Sequence, residues 1–418
     1  MHASLRSSLA LFTLAVLSSG AFAGVTVLGK PGLGTFTTLQ GAIDAASEHD
    51  VLLATAGSYA PFTIDGKGLT VLGQGLVTVN GSCTVKNLAK ASDVGLVHLR
   101  ILGPTQSFVG GAPPFGLELL HCEGDLRIQD CTLVGGRVVA WFTSAPAGPA
   151  ASVVDCKRVM VTRSTLTGGS AGFLPGELPA AGGEGLNANA SSIALYDCTV
   201  RGGDGSHETS PSGGEGGVGA RIDGWGVFSS GSQIAGGTGG GGDYIGCTVS
   251  GDGGDGVVIT GAQLKLLDSP VSGGFAGNFG PCGLGVAGQP FDATNAVVST
   301  LVGVARELSA SNQVSDGSIL SLTFRGAPGD KVWLVVAGEP AFGLVPSYVG
   351  IAGVPWPSFL SLQPLGTIAG DGTLAGNLPI GVYSGPAAGW TLHLQGVCVN
   401  AAQRRVFTTP AQVLVENL

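Results

Sequence analysis

The chain has 418 residues, 74 of them glycine, with 44% hydrophobic and only 11% charged residues. Glycine far above the usual ~7%, without a visible Gly-X-Y period, excludes collagen, and the apolar content excludes a disordered glycine-rich linker. A formal net charge of −9 and a pI near 5.1 argue against nucleic acid or an anionic membrane surface as partner, since both require a basic footprint.

In chain order, residues 1–23 read as a secretory signal peptide. Arg6 supplies the positive n-region, Leu9–Leu17 the apolar core, and Ala21-Phe-Ala23 the A-x-A cleavage site, so the mature chain is expected to begin at Gly24. No later run approaches the ~18 apolar residues of a membrane span, and the expected location is extracellular or at the cell surface. Apolar residues at 36, 39, 42, 43 and 46 have helical spacing and predict a short amphipathic helix. Strands are predicted at 50–54, 62–64 and 69–72, with a turn at Gly57-Ser-Tyr59.

The segment FTTLQGAIDAASEHDVLLATAGSY, followed by FTIDGKGLTVLGQG, resembles the N-terminal cap and first coil of right-handed parallel β-helix proteins of the pectate-lyase-like group. In that group the helix covers the open end of the solenoid, which would otherwise expose its apolar bore and an unpaired edge. The acidic-glycine step usual before the strand is His49-Asp50 here. The resemblance implies a right-handed parallel β-helix over residues 24–305.

Repeats support that expectation. LRIQDCTLVGG (126–136), VMVTRSTLTGG (159–169), IALYDCTVRGG (193–203), VFSSGSQIAGG (227–237) and LKLLDSPVSGG (264–274) share one phrase, with a weaker copy at 94–103. Such recurrence is the mark of a solenoid. Aligning the copies gives a turn column of His98, Asp130, Arg163, Asp197, Gly231 and Asp268, spaced by 32 to 37 residues. A compact coil needs about 20–25 residues. The surplus follows the double glycine each time, at 104–114, 137–149, 170–183, 204–217 and 238–255. These segments are expected to project from one side as the functional face. Asp130, Arg163 and Asp197 are expected to stack as a surface ion-pair ladder.

The eight cysteines contain no CxxC pair, which argues against structural zinc. Cys122 and Cys156 fall near one column on adjacent coils; they are the disulfide candidate, with buried free thiols as the alternative. From about residue 306 the Gly-Gly phrases stop and strand-turn units begin, so 306–418 is expected to be a small β-sandwich, with capping of the C-terminal end of the solenoid as the simplest role for it. The fold class is therefore all-β: solenoid, N-terminal capping helix and sandwich.

Chemistry is less legible. Lyases of the resembling group use clustered carboxylates holding calcium plus an arginine base on an outer strand face. Arg158 and Arg163 lie near Asp155, but no matching acid cluster is read on the flanking coils. The Asp-Asp pair and Gly-His-Gly motif of the related hydrolases are absent. The inserted segments hold ligand-binding candidates, Trp141, Phe142, Phe173, His207, Glu208 and Tyr244, whose rings could stack on sugars. No cofactor is expected; the alternative is calcium at the Asp-Gly turns of Asp252 and Asp255. The function read from sequence is a secreted, non-catalytic scaffold whose loops bind polysaccharide or a cell-envelope component. The alternative is a divergent polysaccharide lyase or glycoside hydrolase.

Overall fold

The computed structural model describes residues 23–417, apart from 108–113, 140–144, 173–178, 208–212, 243–248, 279–282 and 383–388. Within each coil an inward-alternating strand turns a corner into a second short strand, crosses a glycine-rich segment, and returns along a third strand. The first strands (125–129, 158–162, 192–196, 226–230, 263–267) stack in parallel, one coil on the next. Leu126, Val159, Ile193, Val227 and Leu264 share one register position, and all are buried in the bore. Third strands, from Thr63–Asp65 to Phe291–Thr294, form a separate eight-stranded parallel sheet.

The corner column has a backbone cause. His98, Asp130, Arg163, Asp197, Gly231 and Asp268 all adopt left-handed φ, between 45° and 65°. That region tolerates Gly, Asn, Asp and His best, which accounts for every residue of the column except Arg163. A second corner uses the same device at Asn87, His121, Asp155, Ala190, Gly224, Gly261 and Asn295. The residue after the first corner then turns inward: Ser164 Oγ accepts from Cys131 N, and Ser232 Oγ accepts from Cys198 N, both at 3.0 Å.

At the N-terminal end the α-helix spans Leu39–Ala45, with Leu39, Ala42 and Ile43 buried. It starts later than the apolar spacing suggests, because Thr38 is its N-cap and accepts from Gly41 N at 3.1 Å. Phe36 belongs instead to a two-residue strand paired with Val25–Thr26. The turn expected at Gly57–Tyr59 is not a turn. The strand runs through Asp50–Tyr59 and absorbs an irregularity between Thr55 and Gly57.

The inserted segments are not free loops at their stems. Gly203 N donates to Gly183 O, Gly217 N to Gly203 O, Gly237 N to Gly217 O, and Gly254 N to Gly237 O, at 2.8–2.9 Å. Outgoing and returning arms thus alternate in one hydrogen-bonded column. In the 213–219 arm, Gly213, Gly216 and Gly219 donate to the next coil, while Gly214 and Gly217 donate to the facing arm. Donor direction repeats every three residues, the period of a polyproline II chain. Burial follows the same period: Gly213, Gly214, Gly216 and Gly217 are buried, Glu215 is exposed and Val218 is intermediate. A Cβ on Gly217 would sit 2.0 Å from Gly183 O, and one on Gly237 1.9 Å from Gly203 O. Glycine is required here by backbone approach, not by φ.

The sandwich does not cap the C-terminal end; it lies along the flank. Its sheets are Glu307–Ala310, Ile319–Arg325 and Thr373–Pro379 on one side, and a seven-stranded sheet containing Lys331–Ala337, Gly389–Val399 and Ala411–Glu416 on the other. Outward residues of the first-strand sheet, Met160, Ala194, Tyr196 and Phe228, pack with Ile351 and Val406 of the sandwich. Tyr196 Oη donates to Ile351 O at 2.9 Å and accepts from Ile351 N at 2.7 Å. Gln129 bonds both the N–H and the C=O of Gln412. This docking divides the expected charge ladder. Arg163 makes a bidentate pair with Asp130 at 2.8 and 2.9 Å, whereas Asp197 accepts from the Thr409 hydroxyl of the sandwich.

Two outcomes follow. Gly217→Ala should destabilise the protein by about 2 kcal/mol or more through forced backbone displacement, measured by thermal or denaturant unfolding. Gly370→Ala, where a Cβ meets nothing within 4 Å, should stay within ~0.5 kcal/mol. Burial pushes the Asp197 carboxyl up to about 7. Its folded pKa thus exceeds the unfolded ~3.9, so its contribution is fully present below about pH 4 and is lost as pH rises through about 7. Asp197→Asn should therefore gain about 1–3 kcal/mol relative to wild type between pH 4 and pH 8. A pH-independent gap between the two proteins would contradict this.

Candidate functional site

Trp141, Phe142, Phe173, Glu208 and Tyr244 lie outside the described residues. His207 is exposed on the glycine lobe, and its Nδ1 accepts from Gly241 N of the next coil at 3.0 Å. Asp252 accepts from Val286 N at 2.7 Å, and Asp255 from Gln289 N at 2.6 Å. Asp204 does the same for Thr238 N at 3.0 Å. In the lobe's three-residue period these side chains satisfy backbone N–H groups of the following coil. They do not converge, and no group of three His, Cys, Asp or Glu able to hold a metal occurs among the described residues. Cys122 and Cys156 are buried free thiols on adjacent coils; Cys122 Sγ donates to Leu120 O at 3.3 Å and Cys156 Sγ to Val154 O at 3.4 Å.

Two other concavities carry chemistry. The first is a cleft of about 550 Å³ where the early coils meet the sandwich, lined among others by His49, Lys90, Asp93, Asp125, Arg158, Glu339 and His393. Asp93, Asp125 and Arg158 occupy one register position on three adjacent parallel strands, so their backbones are about 4.8 Å apart per step. This corrects the sequence reading, which compared Arg158 with Asp155 and found no acids at matching positions. The acids stand five residues before the corner column, at the strand starts. Arg158 Nη1 is 3.4 Å from Asp125 Oδ2, and His49 Nδ1 is 3.3 Å from Asp93 Oδ1.

Burial raises both carboxyls, opposed chiefly by His49 for Asp93 and by Arg127 for Asp125. The buried Arg127 reaches across to Ala341 O at 3.0 Å and to Gly353 O, tying the solenoid to the sandwich. Burial and then Arg127 hold His393 neutral, well below the usual imidazole range. Asp125 Oδ1 and His393 Nδ1 are buried without a protein hydrogen-bond partner.

The second concavity, about 310 Å³, is on the sandwich, lined by Trp333, Tyr348, Trp356, Leu362, Val397 and Val399, with Gln403 and Arg405 beside them. Alternation puts Trp333 outward between the buried Val332 and Leu334. Pairing of Tyr348–Val349 with Arg405–Val406 brings a residue from each segment to the hollow. Tyr348 stacks on Phe407 with centroids 4.9 Å apart and tilts against Trp356 at 5.2 Å. The Arg405 guanidinium lies 5.2 Å from the Tyr348 ring centroid. The hollow thus joins flat apolar rings to exposed hydrogen-bonding groups.

The fold is a parallel β-helix. No family model matches the sequence, and no curated protein matches it. Among solved structures, the chain is similar to the enzymatically active domain of bacteriophage CBA120 tailspike protein 2, with TM-score 0.26 and 11% identity over 90% of this chain and 73% of that one. It is similar also to full-length tailspike protein 2 from an Escherichia coli bacteriophage, with TM-score 0.25 and 10% identity over 90% of this chain and 65% of that one. A superoxide reductase (neelaredoxin) from Ignicoccus hospitalis matches 27% of this chain and 82% of its own, with TM-score 0.18 and 8% identity.

The cleft yields a direct check. The Asp125 carboxyl should titrate above the usual ~4, followed by carboxyl-carbon NMR. Arg158→Ala should raise it further, because Arg158 favours the charged form. A midpoint at or below the usual value would show that Arg127 and Arg158 outweigh burial.

Proposed function

We propose that the protein is an exported, non-catalytic scaffold that binds polysaccharide, or a glycan of a cell envelope, through its sandwich. The carrying observation is the hollow of Trp333, Tyr348 and Trp356 with Arg405 and Gln403. Sugar rings present apolar C–H faces to aromatic planes, while their hydroxyls need donors and acceptors at the edges. The solenoid supplies a rigid support, and export follows from residues 1–23 read as a signal peptide. The negative charge is compatible with a neutral glycan and unfavourable for nucleic acid. Of the polar lobe residues that the sequence offers, His207, Asp252 and Asp255 are engaged with the next coil, which favours the sandwich for the binding role.

A second reading rests on one observation, the stacked Asp93 and Asp125 in a cleft, both with raised pKa. Paired carboxyls of this kind serve acid-base chemistry on glycosides. Against it, each already has a cationic neighbour, His49 or Arg158.

Glycan-array binding followed by calorimetry should give a polysaccharide ligand, and Trp333→Ala should weaken it roughly tenfold with the circular-dichroism spectrum unchanged. No ligand on a broad array would sink the proposal. Release of reducing ends or unsaturated uronate, abolished by Asp125→Asn, would replace it with the enzymatic reading.

A further inference from the structure

The two ends of the solenoid are finished differently. The N-terminal end is closed by the helix Leu39–Ala45 and the antiparallel strand Val25–Val27. At the other end, Phe291–Thr294 and Val297–Leu301 each pair with the preceding coil on one side only, and both are terminal strands of their sheets. Among the described residues no strand continues the stack. After Leu301 the chain crosses to the sandwich, whose first strand is Glu307–Ala310, and the sandwich sits on the flank. The last coil therefore presents unpaired backbone N–H and C=O groups, together with apolar side chains: Phe275 (79% exposed), Leu284 (70%), Val286 (67%) and Val297 (57%). An exposed apolar edge of this kind is a template for strand pairing, and soluble proteins normally blunt it with charge, proline or a covering element.

We propose that the last coil is the interface of a tail-to-tail dimer, in which Val297–Leu301 of one copy pairs antiparallel with the same strand of a second copy about a two-fold axis near Ser299. Three observations select a second copy. The occupant must be a strand-former supplied in trans, since the chain's own next segment is committed to the sandwich. Residues 273–304 contain a single charged residue, Asp292, so two such ends meet without the like-charge repulsion that an overall charge of −9 would otherwise impose. The capped N-terminal end excludes head-to-tail stacking, so the association closes at two rather than growing into a fibre. Self-pairing about a two-fold is the isologous solution for a surface of this kind.

The test is the mass of the intact mature chain by sedimentation and light scattering across the micromolar range. Twice the chain mass is expected. Val297→Lys places a charge on an exposed side chain and should give a monomer with an unchanged melting curve below the dissociation concentration. Val286→Glu, also in the last coil, should weaken the dimer at least tenfold. Trp333→Ala, on the sandwich, should leave the mass untouched, so failure of the dimer and failure of glycan binding are read separately. A monomeric wild type throughout the range, a wild-type species larger than a dimer, or a dimer indifferent to both last-coil substitutions would overturn the proposal.

Discussion

Everything in this molecule depends on the backbone hydrogen bonds that run from one coil to the next. Each is worth only about 1 kcal/mol net, but they repeat at every strand, at both corners and through the glycine lobe. The register they impose puts Leu126, Val159, Ile193 and Val227 in one buried column. The same register aligns Asp93, Asp125 and Arg158 along the cleft. Left-handed corners at Asp130, Arg163 and Asp197 are the local cost of bending the chain at the same place each time. The alternatives to glycine there are the short polar residues that tolerate this region, and Arg163 is the exception, held by its pair with Asp130.

The glycine lobe extends the same logic to a layer without a side-chain core. At most inward positions its arms are too close for a Cβ, as the 2.0 Å approach of a hypothetical Gly217 Cβ to Gly183 O shows, while Ala180, Ser206 and Ser250 are accommodated. Its cohesion comes from main-chain amides satisfied in two directions per three residues, with Asp204, Asp252, Asp255 and His207 supplying acceptors to the next coil. Polar side chains that a sequence reader would take as ligands are consumed by the scaffold. Meanwhile the outer face of the first-strand sheet is buried under the sandwich through Tyr196, Met160 and Phe228. Among the described residues, the cleft between the two bodies and the hollow on the sandwich both carry accessible chemistry.

What could be read in advance follows from range. Alternation into the bore, the corner column and the capping helix are local patterns, and each is found, the helix beginning at Leu39 because Thr38 caps it. The lobe was hidden because triplets such as Gly213-Gly-Glu-Gly-Gly217 look like loop composition unless their three-residue period is noticed within runs of only five or six residues. Asp197 left the ladder because Thr409, 212 residues away, reached it first, and no periodicity carries that. The Asp93–Asp125–Arg158 row stands five residues before each corner, at strand starts whose residues otherwise vary from coil to coil, so only the strand register joins it. The aromatic hollow had no local signal, since Trp333, Tyr348, Trp356 and Arg405 meet only through sandwich pairing.

The central claim is that the glycine-rich stems of the inserted segments are packed structure and not loops. Native-state hydrogen exchange tests it most directly, residue by residue, at the amides of Gly203, Gly217, Gly237 and Gly254. The account predicts protection comparable with that of the strand amides of Ile193 and Val227, lost in the same cooperative step. Exchange of those glycines at rates typical of exposed loops, while the strands stay protected, would contradict it.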